Sequence, residues 1–250
     1  MILEEFFREN GECALAFSGG ADSAFLLYAA QKYARRVRAY YVKSAFQPGF
    51  ELDDARRLAA ELDADMRVLD VDVLALEDVR ENPPERCYHC KRAIFSAIAA
   101  AAHDDGFGLI IDGTNASDNA GDRPGMRALR ELAVRSPLRE CALTKNEIRG
   151  LSRRAGLFTW NKSAYACLAT RVPAGEEITA EKLQITEAAE SALHALGFRD
   201  FRVRLLGGCA RVQLREGQLP LLLEKRGEVL DKLKRLYDAV LLDLEVRGEQ

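Results

Sequence analysis

The run Ser18-Gly19-Gly20-Ala21-Asp22-Ser23 constrains this chain more than any other stretch. It follows a short apolar run, residues 13–17, and leads directly into the apolar residues 24–30. That order reads as strand, tight turn, helix. Two adjacent glycines allow positive φ and a close approach of backbone to ligand. The helix beyond the turn aims unbonded N–H groups and the positive end of its dipole back at the turn. Ser18 and Ser23 add hydroxyl donors. A corner of this kind binds an anion, most naturally phosphate.

The corner is not a Walker loop, since no lysine follows the glycines, and G-x-G-x-x-G is absent. Downstream, the chain alternates. Residues 37–42 and 66–71 are β-rich, and 108–111 form a short apolar strand. Helices are predicted over 22–34, 51–62, 88–102 and 145–155, the last closed by Gly156. Strands alternating with helices imply right-handed βαβ units and a mostly parallel sheet covered on both faces. Ligands bind beyond the carboxyl ends of such strands. The rhythm changes near Pro173. Helix 181–196, strands 201–206 and 210–214, helix 219–236 and strand 239–246 follow. The predicted fold class is therefore α/β: a parallel-sheet domain over 1–175 and a small α+β C-terminal domain over 176–250.

Charge and composition exclude several classes. A net charge of −3 leaves no electrostatic footprint for a large nucleic acid. No apolar run reaches the ~18 residues of a membrane span. The acidic N-terminal stretch lacks the basic region of a secretion signal, so a cytoplasmic location is expected. In that compartment six cysteines read as thiols, metal ligands or cluster ligands rather than disulfides.

Four more segments carry chemistry. Asp112-Gly113-Thr114-Asn115 follows a strand and offers hydroxyl, amide and backbone donors; alone it reads as an Asx turn, and beside a phosphate loop it reads as part of a nucleotide site. The loop 118–125 that comes next is rich in turn formers and reads as a functional or plain solvated loop. Arg86-Cys87-Tyr88-His89-Cys90-Lys91 holds a C-x-x-C spacing at a helix start, where N–H groups and cations favour thiolates. Cys167 lies in a loop of small and polar residues with Lys162 and Arg171 near in sequence. Cys87, Cys90 and Cys167 make three sulfurs, which suit a [4Fe–4S] cluster with one open iron or a zinc with one open position. Cys13, Cys141 and Cys209 have no partner spacing and read as core or incidental. Arg202-Val203-Arg204 puts two guanidinium forks on one strand face, suited to phosphate or carboxylate, or to a solvated face with Glu190 as neighbour.

The pattern S-G-G-x-D-S resembles the signature of the PP-loop ATP pyrophosphatase superfamily, with its adenine nucleotide α-hydrolase-like fold. Taken with D-G-T-N-x-x-D, R-P-G, R-C-Y-x-C-K and A-C-L-A-T-R-x-P followed by E-I-T, the chain is similar to the LarE family from about residue 10 to 215. The resemblance implies an ATP-dependent sulfur transferase. Such an enzyme adenylates a carboxylate of pyridinium-3,5-biscarboxylic acid mononucleotide and inserts sulfur, building the nickel-pincer nucleotide. It further implies that Ser18, Gly19, Gly20, Asp22 and Ser23 hold ATP, with Asp22 on Mg²⁺. Thr114 and Asn115 would join the nucleotide site, and Arg171, Glu190, Arg202 and Arg204 would face the substrate. Of the family's two kinds of sulfur donor, one sacrifices a cysteine at position 167; the other carries the added C-x-x-C. This chain has all three cysteines, so a [4Fe–4S] cluster on Cys87, Cys90 and Cys167 is expected, fed by an external sulfide donor. Relatives form homo-oligomers. The competing readings are a tRNA thiolation enzyme, a nucleotide or iron–sulfur binding protein without chemistry, and an amide-forming ligase that would not need three cysteines.

Overall fold

The structure, a computed structural model, describes residues 2–118 and 124–248. Along the chain run α1 (Leu3–Glu9), β1 (Glu12–Ala16), α2 (Ala21–Tyr33), β2 (Arg36–Lys43), α3 (Gly49–Glu61), β3 (Met66–Asp70), α4 (Glu77–Arg80) and α5 (Arg86–Asp104). Then come β4 (Ile110–Asp112), α6 (Pro124–Glu131), α7 (Pro137–Glu140), α8 (Lys145–Arg154), α9 (Ala180–Ala195), β5 (Arg202–Leu206) and β6 (Cys209–Gln213). The last elements are α10 (Leu219–Glu224), α11 (Arg226–Leu233) and β7 (Ala239–Leu242). They divide into two compact units: Met1–Val73 with Glu85–Lys162, and Leu74–Pro84 with Ser163–Gln250.

The first unit is built on a parallel sheet in the order β3-β2-β1-β4. Its central strands are buried on both sides, which is why they read as continuous apolar runs. Alternate residues serve opposite faces. Leu15 and Tyr41 join one core with Leu26, Leu27 and Leu58, from α2 and α3. Ala14 and Tyr40 join another with Ile98, Ala101 and Ala102 of α5. The expected α/β architecture, covered on both faces, is present. Strand order reverses between β1 and β4, and at their ends Ala16 pairs with Asp112. Such a switch point opens a crevice beyond the carboxyl ends of the two strands.

The second unit pairs β5 antiparallel and β7 parallel with β6. Leu193, Phe198, Val203, Val212 and Leu233 form its core. Its α-β-β-α-β rhythm is the one expected, except that the single helix predicted over 219–236 is two, parted at Lys225. Whereas the sequence reading puts the boundary at 175, this unit begins at Ser163 and also contains 74–84. Backbone N–H groups of Gly175 and Ile178 donate to the carbonyls of Asn82 and Arg80 at 2.9 and 2.7 Å. The Asn82 side chain, buried, donates to the Pro173 carbonyl at 2.7 Å.

Four short helices were not legible: α1, α4, α6 and α7. Of these, α6 opens on Pro124-Gly125, residues read as loop; proline is tolerated at a first helical position because its missing N–H would have no partner there. Residues 119–123 of that loop lie outside the described residues.

Candidate active site

The glycine turn sits where the sequence puts it, between β1 and α2. Only one of its glycines uses the left-handed region. Gly19 has φ +71°, with the position of a Cβ only 3.2 Å from that of Ala55. Gly20 is extended, with φ −78° and ψ 165°, and caps α2. Of the two glycines that allow positive φ, Gly19 alone uses it. Ser18 and Ser23 close the turn: their hydroxyls are 3.0 Å apart, and the Ser18 N–H donates to Ser23 Oγ at 3.3 Å. Ser23 Oγ donates to the Gly20 carbonyl at 3.2 Å. The loop is thereby preset, and the first N–H groups of α2 point out of it unused by the helix.

The loop after β4 packs directly on this corner. A Cβ on Gly113 would lie 2.9 Å from the Ser23 nitrogen, so no larger residue fits without moving the phosphate loop. Asp112 is buried and spent on structure: it accepts from Thr114 Oγ1 at 2.5 Å and Ser136 Oγ at 2.6 Å. Asn115 is buried too; its N–H donates to Asp118 Oδ2 at 2.9 Å, and its Oδ1 accepts from the Ser117 N–H at 2.8 Å. Thr114 and Asn115 therefore stand beside the glycine turn, as the motif reading expects.

Asp22 opens the first turn of α2. Burial raises its carboxyl pKa above the ordinary range, and the nearby Asp118 raises it further. Lys145, a hydrogen bond from Asn115 and Arg149 oppose the rise. Its Oδ1 is buried with no hydrogen-bond partner among the described residues. A buried carboxylate oxygen left unpaired is costly. Two carboxylates at the mouth of a phosphate corner make a set of hard oxygen donors, and these residues fit Mg²⁺.

Sequence reasoning missed Lys145 and Arg149 and set a third cation of this unit, Lys162, beside Cys167 rather than at the glycine turn. Lys145 and Arg149 lie one turn apart on α8 and act electrostatically on Asp22. Lys162 places Nζ 3.3 Å from the Gly19 carbonyl. The i, i+4 spacing on α8 was visible, but a charged helix face ordinarily reads as solvated.

Cys87 lies in the first turn of α5 and is exposed; Cys90 begins the second turn and is half-buried. Arg86 Nη2 is 3.7 Å from Cys87 Sγ. Two thiols at this spacing fit two positions of a metal or cluster. Cys167 belongs to the second unit. Among the described residues no three cysteine, histidine, aspartate or glutamate side chains gather to hold a metal. Cys13 is a core residue as expected: it is fully buried, and burial pushes its thiol up to about 12.

In the second unit, Cys167 is half-buried and precedes a 3-10 turn, Leu168–Arg171. Arg171 is buried and pairs with Glu190, whose Oε2 also accepts from the Tyr165 hydroxyl at 2.6 Å. Arg202 Nη2 donates to the Ala164 carbonyl at 3.0 Å, and Arg204 Nη1 to the Thr170 carbonyl at 2.7 Å. The two guanidinia of β5 thus reach one loop, the loop of Cys167. Burial, then Arg171 and Arg247, lower the Arg202 pKa to about 10. Burial and the same cations, with Arg211, lower that of Arg204. Arginines that crowd one another in this way leave a local excess of positive charge, suited to an anion.

The chain matches the asparagine synthase family model over residues 5–103. It is 33% identical to the pyridinium-3,5-bisthiocarboxylic acid mononucleotide synthase of Lactiplantibacillus plantarum over 233 residues, 92% of this chain and 84% of that one. It is 34% identical to an uncharacterised protein of Synechocystis over 97% of this chain and 92% of that one. An uncharacterised protein of Methanocaldococcus jannaschii is 27% identical over 98% and 93%. Parallel sheet, phosphate corner and these similarities agree: the chain belongs to the LarE family of PP-loop, ATP-dependent sulfur transferases.

Proposed function

We propose that this enzyme adenylates a carboxylate of pyridinium-3,5-biscarboxylic acid mononucleotide and replaces the activated oxygen with sulfur, supplying the nickel-pincer nucleotide. The observation that carries the reading is the corner of Ser18–Ser23 with the buried, unpartnered oxygen of Asp22. In the first step a substrate carboxylate oxygen attacks the α-phosphorus of ATP, the α–β P–O bond breaks, and pyrophosphate departs. Asp22 would hold Mg²⁺, which with the loop N–H groups offsets charge on the departing pyrophosphate. In the second step sulfur attacks the acyl carbon and AMP leaves with the C–O bonding pair. AMP is a far better leaving group than the oxide of a free carboxylate. The arginines at 171, 202 and 204 are proposed to favour the anionic substrate, Arg171 through the loop it holds.

The sulfur is assigned to Cys87, Cys90 and Cys167. A [4Fe–4S] cluster on these thiolates would supply a sulfide, renewed by an external sulfide donor. The second reading is the family's other kind of sulfur donor, in which Cys167, half-buried in its loop, gives up its own sulfur and becomes dehydroalanine. The cytoplasm is the proposed compartment and a homo-oligomer the proposed assembly.

Protein purified without oxygen and mixed with MgATP and the dicarboxylate nucleotide tests the reading. Pyrophosphate, AMP and a product heavier by the difference between sulfur and oxygen are expected. Release of none of them, with binding of tRNA instead, would sink it. Iron and broad visible absorbance that are lost in Cys87→Ser mark the cluster; dehydroalanine at 167 after one turnover marks the sacrificial cysteine.

A further inference from the structure

Lys162 is pinned at both ends. Its backbone N–H donates to the Thr159 carbonyl at 3.0 Å, and its carbonyl accepts from Arg149 Nη2 at 3.2 Å. Its ammonium lies 2.6 Å from Asp54 Oδ2 on α3 and 3.3 Å from the Gly19 carbonyl, with the Phe50 ring centroid at 5.7 Å. All of these residues belong to the first unit. The side chain of Lys162 is 15% exposed and that of Asp54 33%.

We infer that Lys162 is a phosphate ligand held in reserve by Asp54, which moves onto the outer phosphates of ATP when the nucleotide enters. Three features carry this. The ammonium already touches Gly19, the residue at which the phosphate loop bends. A lysine on a flexible four-carbon stem delivers its charge as a point, and a short swing changes its partner. Asp54 is one-third exposed, so water can solvate its carboxylate when the ammonium turns to a polyphosphate. Lys145 and Arg149, on α8, add positive charge at the same corner. The inference rests on the reading that this corner takes ATP.

Titration calorimetry with Mg²⁺ and the α,β-methylene analogue of ATP, and separately with AMP, tests it. Lys162→Met is expected to weaken binding of the analogue about 10–100-fold and that of AMP less than about twofold, the loss of one charge-assisted phosphate contact. Asp54→Asn, which frees the ammonium, is expected to leave analogue binding unchanged or tighten it, by up to about tenfold, because the competing state is removed. A merely structural pair would behave otherwise: both variants would weaken binding alike. That result, or full analogue affinity in folded Lys162→Met, overturns the inference. If Lys162→Met fails to fold, Asp54→Asn decides alone, with unchanged or tighter binding supporting the inference and weaker binding ending it. Wild-type protein that binds no analogue at all removes the ATP reading and this inference together, an outcome distinct from an indifferent variant.

Discussion

Arg171 and Glu190 meet in a two-point ion pair inside the second unit, Nε to Oε1 at 2.8 Å and Nη2 to Oε2 at 2.9 Å. From that pair Arg171 Nη1 reaches the carbonyls of Ala166 and Cys167 at 2.8 and 3.3 Å. Glu190 Oε1 also accepts from the Val203 N–H at 3.0 Å. One side-chain contact therefore ties the cysteine loop to α9 and β5. Removing one partner leaves the other charge buried and alone, so Arg171→Ala or Glu190→Ala is expected to cost about 3–5 kcal/mol in urea unfolding. Alkylation of Cys167 by iodoacetamide should accelerate in any variant that still folds.

The glycines of the corner should respond unequally. Gly19→Ala meets both a positive φ and the Ala55 side chain, and Gly113→Ala meets the Ser23 backbone. Each is expected to lose about 1–3 kcal/mol of stability and most ATP affinity. Gly20→Ala has an ordinary φ and only Ser18 Oγ at 3.4 Å, so it should fold like the parent protein. Melting temperatures of the three variants with and without MgATP check the order.

Asp22, the proposed Mg²⁺ ligand, carries a cost in stability. Its folded pKa is raised, chiefly by burial, so the native protein holds that proton to higher pH than the unfolded chain does. Stability is then lost as pH rises from the ordinary carboxylate range through the folded value. Asp22→Asn removes this cost. Calorimetric scans at neutral pH should show a melting temperature a few degrees higher. Pyrophosphate release from MgATP should vanish.

Asp105 runs the other way. The Tyr40 hydroxyl at 2.8 Å, together with Arg38 and Arg67, lowers its carboxyl to about 2. Its contribution is fully present above the unfolded carboxylate value and is lost as pH falls through about 2. Asp105→Asn should flatten acid unfolding between about pH 4 and 2, followed by circular dichroism.

Much of the first unit was legible because its chemistry is local. Residues 13–17, 37–42 and 66–71 announce strands buried on both faces, and the glycine turn announces the corner between β1 and α2. Thr114 and Asn115 followed from lying just past a strand end. What could not be read depends on distant partners. Lys162 gains its meaning from Gly19, 143 positions earlier. Arg171 and Glu190 look like ligands in sequence, and only packing shows them turned on each other. That Leu74–Pro84 folds with the C-terminal unit goes with hydrogen bonds of Asn82 to Pro173 and Gly175, for which no local pattern exists.

Because Leu74–Pro84 is folded with the C-terminal unit, the polypeptide passes from one unit to the other three times. No single scissor cut can release either half intact. A fragment ended after residue 162 would carry Arg80 and Asn82 without the strand of chain they bind, and the complementary fragment would start with those bonds missing. Dissecting this enzyme into separately expressed halves therefore calls for a rewired or permuted gene, and any lineage that exchanged one half for another had to carry the eleven-residue excursion along with it.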